Sequence, residues 1–292
     1  LGDHGSAAEG RLMAGNRHRQ RRAWATAGRH GLLILFAIIS LYPILVTWFT
    51  ALRPAKESQQ NPFGLPWPPI WENVANAWVK GRFGDYLMNS VIIAIPTVIG
   101  VVVLSALAGY GIARFRFPGR ALAFGAILLG LTIPFQSVMI PLYYQLLQMG
   151  LLGSYWAVIL PGIAFGLPFG VFLMAAFFED LPKELHEAAR VDGCSELRIF
   201  WSVMLPLAKP AVSTLIVFQF MRTWNEFLMP LLYLQDEAKR PIPLGLMFFQ
   251  GTYTRDIGLI AAGVTLATVP VIIVYLIFQR QFVRGLTAGA VK

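Results

Sequence analysis

The sequence predicts an all-α, polytopic membrane protein with six transmembrane helices. Two observations support this fold class: the composition of the chain and the length of its apolar runs. Of the 292 residues, 56% are hydrophobic and only 13% are charged, and the mean hydropathy is +0.60. A soluble domain carries roughly 25% charged residues. This chain therefore has too little polar surface to cover a water-soluble globule of its size.

Six apolar runs are long enough to cross a bilayer, whose hydrocarbon core of ~30 Å requires about 20 helical residues. Each run is predicted to be a helix, because backbone N–H and C=O groups in lipid must be satisfied within the segment. The predicted spans are 31–52, 87–113, 121–143, 155–178, 211–234 and 257–279.

The first 30 residues are polar and rich in arginine. The apolar run that follows them has about 22 residues, which is longer than the 7–15 residues of a signal-peptide core. No small-residue cleavage site follows this run. We therefore expect residues 1–30 to be a flexible basic cytoplasmic tail ahead of an uncleaved first transmembrane helix.

The distribution of lysine and arginine predicts the orientation of the chain. With the N-terminus inside, sixteen of the 24 basic residues fall on the cytoplasmic side and seven on the outer side, while Arg222 lies within a span. Positive charge marks cytoplasmic segments, so both termini are predicted to be cytoplasmic. The net charge of +9 thus reflects membrane topology, and no nucleic-acid partner is expected.

Two features between and within the spans leave alternatives open. The outer loop 53–86 is rich in proline and tryptophan, which suits either an ordered cap near the membrane interface or a plain linker. In the fourth span, Gly162, Gly166 and Gly170 are each four residues apart and let another helix approach closely. That helix belongs either to this chain or to a second membrane subunit.

The segment between the fourth and fifth spans is too long and too polar for a simple turn. Asp180 suits a helix N-cap and Pro182 a first helical turn, which predicts a short helix to about Asp192. Gly193 can adopt the left-handed conformation that ends a helix. Ser195 can then cap a second short helix that Pro206 terminates. Two short helices at an angle would form a cytoplasmic knob.

This segment resembles the signature of ATP-binding-cassette (ABC) importer permeases: Glu-Ala-Ala, three residues, Gly, nine residues, an aliphatic residue, any residue, Leu-Pro. The matching residues are Glu187, Ala188, Ala189, Gly193, Val203, Leu205 and Pro206; the family usually has Ile in place of Val203. The resemblance implies that the helix inserts into a groove of an ATPase subunit. Ala188 and Ala189 would then be the small seating surface, Glu187 would pair with a basic residue, and Gly193 would set the bend.

Further matches are typical of the smaller permease subunit of maltose-type carbohydrate importers. They are Asn89-Ser90, the residues from Ala108 to Gly119 that close the second span, Trp224-Asn225-Glu226-Phe227, and the C-terminus from Arg284. The resemblance covers residues ~30–292. It implies an ABC type I importer permease fold over residues 31–285, with coupling helices at 181–209 and a cytoplasmic tail at 286–292 that reaches between the ATPases.

The same resemblance implies the partners and the location. We expect a larger second permease subunit, two ABC ATPase subunits, an extracytoplasmic solute-binding protein and membrane lipid, in the cytoplasmic (inner) membrane of a prokaryote. The substrate would be a disaccharide, an oligosaccharide or a related compound.

The fifth span carries ionisable groups that are expensive in a membrane. Arg222 and Glu226 would each cost roughly 2.5–3.5 kcal/mol at the bilayer centre, and their spacing of four would let them pair on one helical face. They either hold spans together or border a translocation path. The candidate path residues are Gln219, Arg222, Trp224, Asn225 and Glu226.

Some functions are excluded by what the sequence lacks. No Gly-Lys dipeptide occurs, so the chain has no Walker A loop. No cofactor is expected in this chain, and ATP and Mg are expected on a partner ATPase. We find no catalytic set and no metal-site spacing, so the chain is predicted to be a transporter subunit and not an enzyme. The alternative is an ion-coupled secondary transporter that uses Arg222 and Glu226, although such proteins often show inverted repeats and none is visible here.

Overall fold

The computed structural model describes residues 4–61, 63–253 and 256–290, with the predicted all-α architecture. The first half comprises α1 (His4–Ala51), α2 (Ala55–Gln60), α3 (Glu72–Lys80), α4 (Phe83–Arg114), α5 (Arg120–Leu129), α6 (Phe135–Gln148) and α7 (Trp156–Asp180). The second half comprises α8 (Lys183–Val191), α9 (Glu196–Ile199), a π-helical stretch (Phe200–Met204), α10 (Leu205–Leu207), α11 (Lys209–Trp224), α12 (Leu228–Tyr233), α13 (Ile242–Thr252) and α14 (Ile257–Ala290).

Four helices are long and apolar enough to cross a membrane by themselves. They are α4, α7 and the segments Gly28–Ala51 and Ile257–Gln279. Two further apolar stretches are bent: Arg120–Thr132 meets Phe135–Gln148 at 100°, and Glu196–Leu207 meets Lys209–Trp224 at 77°. The chain has six spans if each bent pair counts as one.

The third and fifth spans are not the continuous helices that hydropathy predicted. The third breaks at Ile133, which has extended backbone angles because the ring of Pro134 disfavours a helical residue before it. The fifth ends at Trp224 and resumes at Leu228. Pro230, which has no N–H to donate to the carbonyl of Glu226, follows this break, whereas α4 and α7 continue through Pro96 and Pro161.

The described residues at both chain ends are helical, and the tail assignments themselves stay predictions. Helix α1 begins at His4, so the backbone of the segment predicted to be a flexible tail is helical from residue 4 onward. Alanine, arginine, methionine and glutamine favour helix, which accounts for this extension. Helix α14 likewise continues beyond the predicted end of the sixth span to Ala290, and residues 291–292 of the predicted C-terminal tail lie outside the described residues.

The glycine stripe of the fourth span packs against another helix of the same chain. A methyl group at Gly162 would lie 3.1 Å from Thr97 Cγ2, and one at Gly166 would lie 2.5 Å from Val101 Cγ2. Thr97 and Val101 belong to α4 and recur with the same spacing of four as the glycines. The stripe therefore serves internal packing of α7 on α4, one of the two alternatives left open above.

The outer loop is ordered and belongs to a larger cap. We define the cap as α2, α3, residues 235–241 and α13. Buried Arg53 donates from Nη1 to Asn61 O at 2.5 Å, and Asn73 Nδ2 donates to Ala51 O and Arg53 O at 3.0 and 2.7 Å. These bonds tie α3 to the end of α1, as expected of an ordered cap and not of a plain linker.

Candidate coupling site and polar cleft

The predicted knob is present as two short helices that meet at a glycine. We define the knob as residues 181–209. Gly193 has φ of +77°, and Ser195 Oγ accepts a hydrogen bond from Arg198 N at 3.4 Å. Both agree with the capping roles predicted for these residues.

Two details of the predicted knob were wrong. Asp180 is the last residue of α7, and Pro182 is the N-cap of α8. Pro206 lies inside α10 and does not terminate the second helix. Proline is tolerated there because the first turn of a helix has no intrahelical acceptor for its N–H groups. The bend follows at Ala208.

A buried hydrogen-bond network fastens the knob to the end of α4. The Glu196 carboxylate accepts from the Tyr110 hydroxyl at 3.1 Å and lies 3.0 Å from His186 Nε2, and its other oxygen pairs with Arg190. The Tyr110 ring contacts the rings of Phe178 and Phe200, at centroid distances of 5.7 and 5.2 Å. α8, α9 and α4 are thereby joined through one carboxylate.

The charge state of Glu196 depends on these bonds. Burial alone would raise the pKa of its carboxyl, but the hydrogen bonds from His186, Arg190 and Tyr110 outweigh burial and hold that pKa below its ordinary range. The network is therefore assembled around an ionised carboxylate at neutral pH.

The outward face of the knob is left without partners in the part of the chain that the structure describes. Glu187 and Ala188 are exposed, and Val191 is 87% exposed and Leu185 42%. Ala189 is half-buried and packs against the apolar core beneath the knob. Of the two alanines predicted to form the seating surface, only Ala188 faces outward fully.

The remaining residues of the signature take different positions. Gly193 and Pro206 are exposed, whereas Leu205 is half-buried and packs with the core that lies under α8 and α9. Leu205 therefore anchors the second half of the knob, while Gly193 stands at its outer corner.

Arg222 and Glu226 do not pair with each other. Arg222 Nη1 donates to Phe165 O at 2.6 Å. Glu226 lies in the break after α11, and its Oε1 accepts from the N–H groups of Leu228 and Met229 at 2.9 and 3.1 Å. The predicted helical pair fails because the helix ends at Trp224, before Glu226. The ion-coupling alternative, which needed this pair, is not favoured.

Three of the five candidate path residues share one small cleft. Gln219, Arg222 and Glu226 line it, together with Thr223 and the glycine-rich face of α7 at Gly162. Gln219 is buried and its Nε2 donates to Thr223 Oγ1 at 3.0 Å.

The other two candidates lie elsewhere. Trp224 is buried, stacks on Phe220 at 5.1 Å and places Nε1 3.4 Å from Ala267 O, so it packs α11 against α14. The indole turns to the opposite, wholly apolar side of α11 and does not line the small cleft, so a role of Trp224 along a path stays a prediction. Asn225 is exposed and donates to Met221 O at 2.7 Å, next to the end of α11.

Sequence reasoning missed the network partners Tyr110, His186, Arg190 and Glu196. One signal was available: His186 and Arg190 are four residues apart and share a helical face. Tyr110 lies far away in sequence, and no local pattern connects it to Glu196.

Comparisons with known proteins agree with this architecture. Residues 101–288 match the family described as "Binding-protein-dependent transport system inner membrane component". The diacetylchitobiose uptake system permease protein of Streptomyces coelicolor is 37% identical over 265 residues, covering 90% of this chain and 88% of that protein. The trehalose transport system permease protein of Mycobacterium tuberculosis is 34% identical over 274 residues, covering 93% and 98%.

A solved structure shows the same fold. A chain of a bacterial ABC transporter that imports the acidic polysaccharide alginate superposes with a TM-score of 0.77 at 24% identity, covering 90% of this chain and 98% of that one. This likeness confirms the predicted importer permease fold.

Proposed function

Because this chain belongs to the binding-protein-dependent transport system inner membrane components, a family of ABC importer permeases, we propose that it takes up a carbohydrate. The observation that carries the proposal is the similarity over nine-tenths of the chain to permeases for diacetylchitobiose and trehalose. A disaccharide or short oligosaccharide is the substrate class that both relatives share.

The knob is the proposed contact with the ATPase. The side of the knob that faces the helical bundle is held to α4 through Glu196, while its solvent-facing side presents Glu187, Ala188 and Val191. An element that is bonded to the bundle on one side and has no partner among the described residues on the other can transmit a movement of a second protein into the bundle. Glu187 would pair with a basic ATPase residue, Gly193 would fix the angle of the two helices, and Leu205 would anchor the second half of the knob, where Pro206 is exposed beside it.

The partners follow from this role. A larger second permease subunit, two ATPase subunits that carry ATP and Mg, and an extracytoplasmic binding protein would complete the transporter, and the family name itself states dependence on a binding protein. The proposed location is the cytoplasmic (inner) membrane of a prokaryote, with both termini and the knob inside. Residues 286–292 would lie near the ATPases.

The polar cleft is proposed to border the translocation path. Gln219, Arg222 and Glu226 stand together within the membrane-spanning bundle, where polar and ionisable groups are rare and usually functional. Asn225 lies at the exposed edge of the same helix break. Amide and charged side chains are hydrogen-bonding partners for sugar hydroxyls.

The substitution Glu187→Arg tests the coupling role. It reverses the charge of an exposed side chain, so the fold and the membrane content should be unchanged, while co-purification of the ATPase and ATP-dependent uptake of labelled diacetylchitobiose and trehalose should be lost. Glu187→Gln is the matched control and should retain more of both activities. Normal uptake in Glu187→Arg would refute the coupling assignment, and uptake driven by an ion gradient without ATP would refute the importer.

A further inference from the structure

A cationic pocket lies beside the knob, where α4 ends. Its cationic side chains are Arg114, Arg116, Arg120, Lys183 and Arg190. They come from the end of α4, the turn that follows it, the start of α5, and α8. Two carboxylates, those of Glu179 and Glu187, also line it, so the pocket keeps an excess of positive charge.

Several of these cations are not neutralised within the described part of the chain. Arg190 pairs with Glu196, and Arg120 lies 3.7 Å from Glu179. Arg116 and Lys183 have no ion-pair partner among the described residues. Arg114 donates from Nη2 to Leu181 O at 2.8 Å, but its buried Nε reaches no acceptor in the described chain.

An apolar groove adjoins the cationic pocket. It runs between α4, α5 and α7 and is lined by side chains such as Ile112, Phe124 and Ala176. Arg120 and Glu179 line both the groove and the pocket. The two cavities are therefore neighbours that share the Arg120–Glu179 ion pair as a common wall, with charged side chains on one side and apolar side chains on the other.

From this juxtaposition we propose that the site binds an anionic phospholipid, whose phosphate lies among Arg114, Arg116 and Lys183 and whose acyl chain fills the groove. Basic pockets between membrane helices are the kind of site that binds anionic lipid headgroups. Free phosphate would satisfy the pocket but would leave the groove unused. The groove is lined by the ends of the second, third and fourth spans, so an acyl chain is the occupant that the membrane would supply.

The test uses the complete transporter complex in detergent, stripped of lipid and titrated with phosphatidylglycerol or phosphatidylcholine while bound lipid is counted by native mass spectrometry. Phosphatidylglycerol should bind on the order of a hundredfold more tightly, because each of the three cations around the phosphate contributes about 1 kcal/mol and about 1.4 kcal/mol corresponds to a factor of ten. The double variant Arg116→Gln/Lys183→Gln should remove most of this preference. Arg198→Gln/Lys80→Gln, which removes two charges outside the pocket, should retain it.

A second pair of measurements examines the groove. Ala176 is exposed in the groove, so Ala176→Phe should fill it without disturbing the core and should weaken phosphatidylglycerol binding. Glycerol 3-phosphate, which has the headgroup chemistry without acyl chains, should bind far more weakly than the lipid.

Three outcomes would overturn the proposal. Equal binding of the two lipids, or equal loss in pocket and control variants, would exclude a built anionic site. Glycerol 3-phosphate binding as tightly as the lipid would assign the pocket to a soluble phosphate. Lipid binding that appears only after the ATPase subunits are removed would make the pocket a protein-docking surface.

Discussion

The two ends of the bundle use polar side chains in different ways. In the cap, Asn89 donates to the carbonyls of Ala238 and Arg240 at 2.7 and 3.0 Å and accepts from the Tyr155 hydroxyl at 2.6 Å. Ser90 Oγ accepts from Ile242 N at 2.8 Å. Three of these four bonds satisfy backbone groups between Ala238 and Ile242. At the knob, by contrast, the side chains of Tyr110, His186 and Glu196 bond to one another.

The difference indicates different duties. A side chain that satisfies buried backbone groups holds a loop in one conformation, because leaving such groups unpaired costs about 1–3 kcal/mol each. A network among polar and charged side chains instead joins separate helices while their solvent-facing sides stay free. We interpret the cap as a region that is held in one conformation. We interpret the knob as a region that is bonded to the bundle and leaves its solvent-facing surface available to a partner.

The largest effect that would sharpen this comparison is expected at the corner of the knob. Gly193 has φ of +77°, and a methyl group there would meet nothing within 4 Å, so only its backbone conformation matters. A β-branched residue is strained in this region by about 1–2 kcal/mol or more. Gly193→Val should therefore shift α8 relative to α9 and reduce sugar uptake by at least about tenfold, since coupling energies of 1–3 kcal/mol correspond to such factors.

Gly193→Asn is the control for that prediction. Asparagine enters the left-handed region readily, so this variant should transport within about twofold of the unchanged protein while both variants reach the membrane in equal amounts. Full transport by Gly193→Val would show that the angle of the knob is unimportant.

In the cap, Asn89→Leu should destabilise the protein and leave coupling intact. The substitution leaves the carbonyls of Ala238 and Arg240 and the Tyr155 hydroxyl without their partner, so we expect a loss of about 2–4 kcal/mol in the free energy of unfolding. Thermal unfolding of the purified transporter measures this loss. Tyr155→Phe removes only one bond and should cost about 1 kcal/mol. Equal costs for the two variants would contradict the proposed holding role of Asn89.

The cap and the knob are connected through the packing contact between α4 and α7. A methyl at Gly166 would lie 2.5 Å from Val101 Cγ2 and 2.8 Å from Gln219 Oε1, so Gly166→Ala should overpack this contact and cost about 1–3 kcal/mol. Gly125→Ala in α5 has open space around it and should be neutral or slightly stabilising, because alanine favours helix. Unchanged thermal stability of Gly166→Ala would mean that the α4–α7 contact adjusts to the added methyl group at little cost.

Hydropathy predicted the number and the approximate positions of the spans, because length and apolarity are local properties. It failed at the break near Pro134, which disfavours a helical residue before it, and at the break near Asn225, where the Glu226 carboxylate accepts hydrogen bonds from the N–H groups that begin α12. The cap helices α2, α3 and α13 were also missed. They are short, and tertiary contacts such as those of Asn73 hold them.

The candidate site was predictable where a contiguous motif marks it. Local capping rules, applied to Gly193 and Ser195, predict the two short helices of the knob. They do not predict its fastening through Tyr110, because 86 residues separate Tyr110 from Glu196. Arg222 and Glu226 were placed near one another for a wrong reason: they share a cleft across a helix break and do not form a pair along a helix.

The smallest expected effect concerns Glu196 and tests whether its negative charge is what holds the knob to α4. The pKa of Glu196 is lowered in the folded protein, so its contribution is present above the ordinary glutamate pKa of about 4.3 and is lost as pH falls through the lowered value. Glu196→Gln should reduce the free energy of local opening of α8 by about 1–2 kcal/mol at neutral pH, a modest amount because the carboxylate is partly screened by solvent. Hydrogen exchange of the α8 amides measures this quantity.

The pH dependence of the same exchange separates charge from packing. The unchanged protein should lose protection of α8 on acidification, whereas Glu196→Gln should start lower at neutral pH and change little, so the two curves converge in acid. Glu184→Gln, on the exposed side of the same helix, should follow the unchanged protein throughout. Parallel curves that never converge would mean that Glu196 holds α8 by shape alone, and the contrast between a charge-fastened knob and a backbone-fastened cap would then disappear.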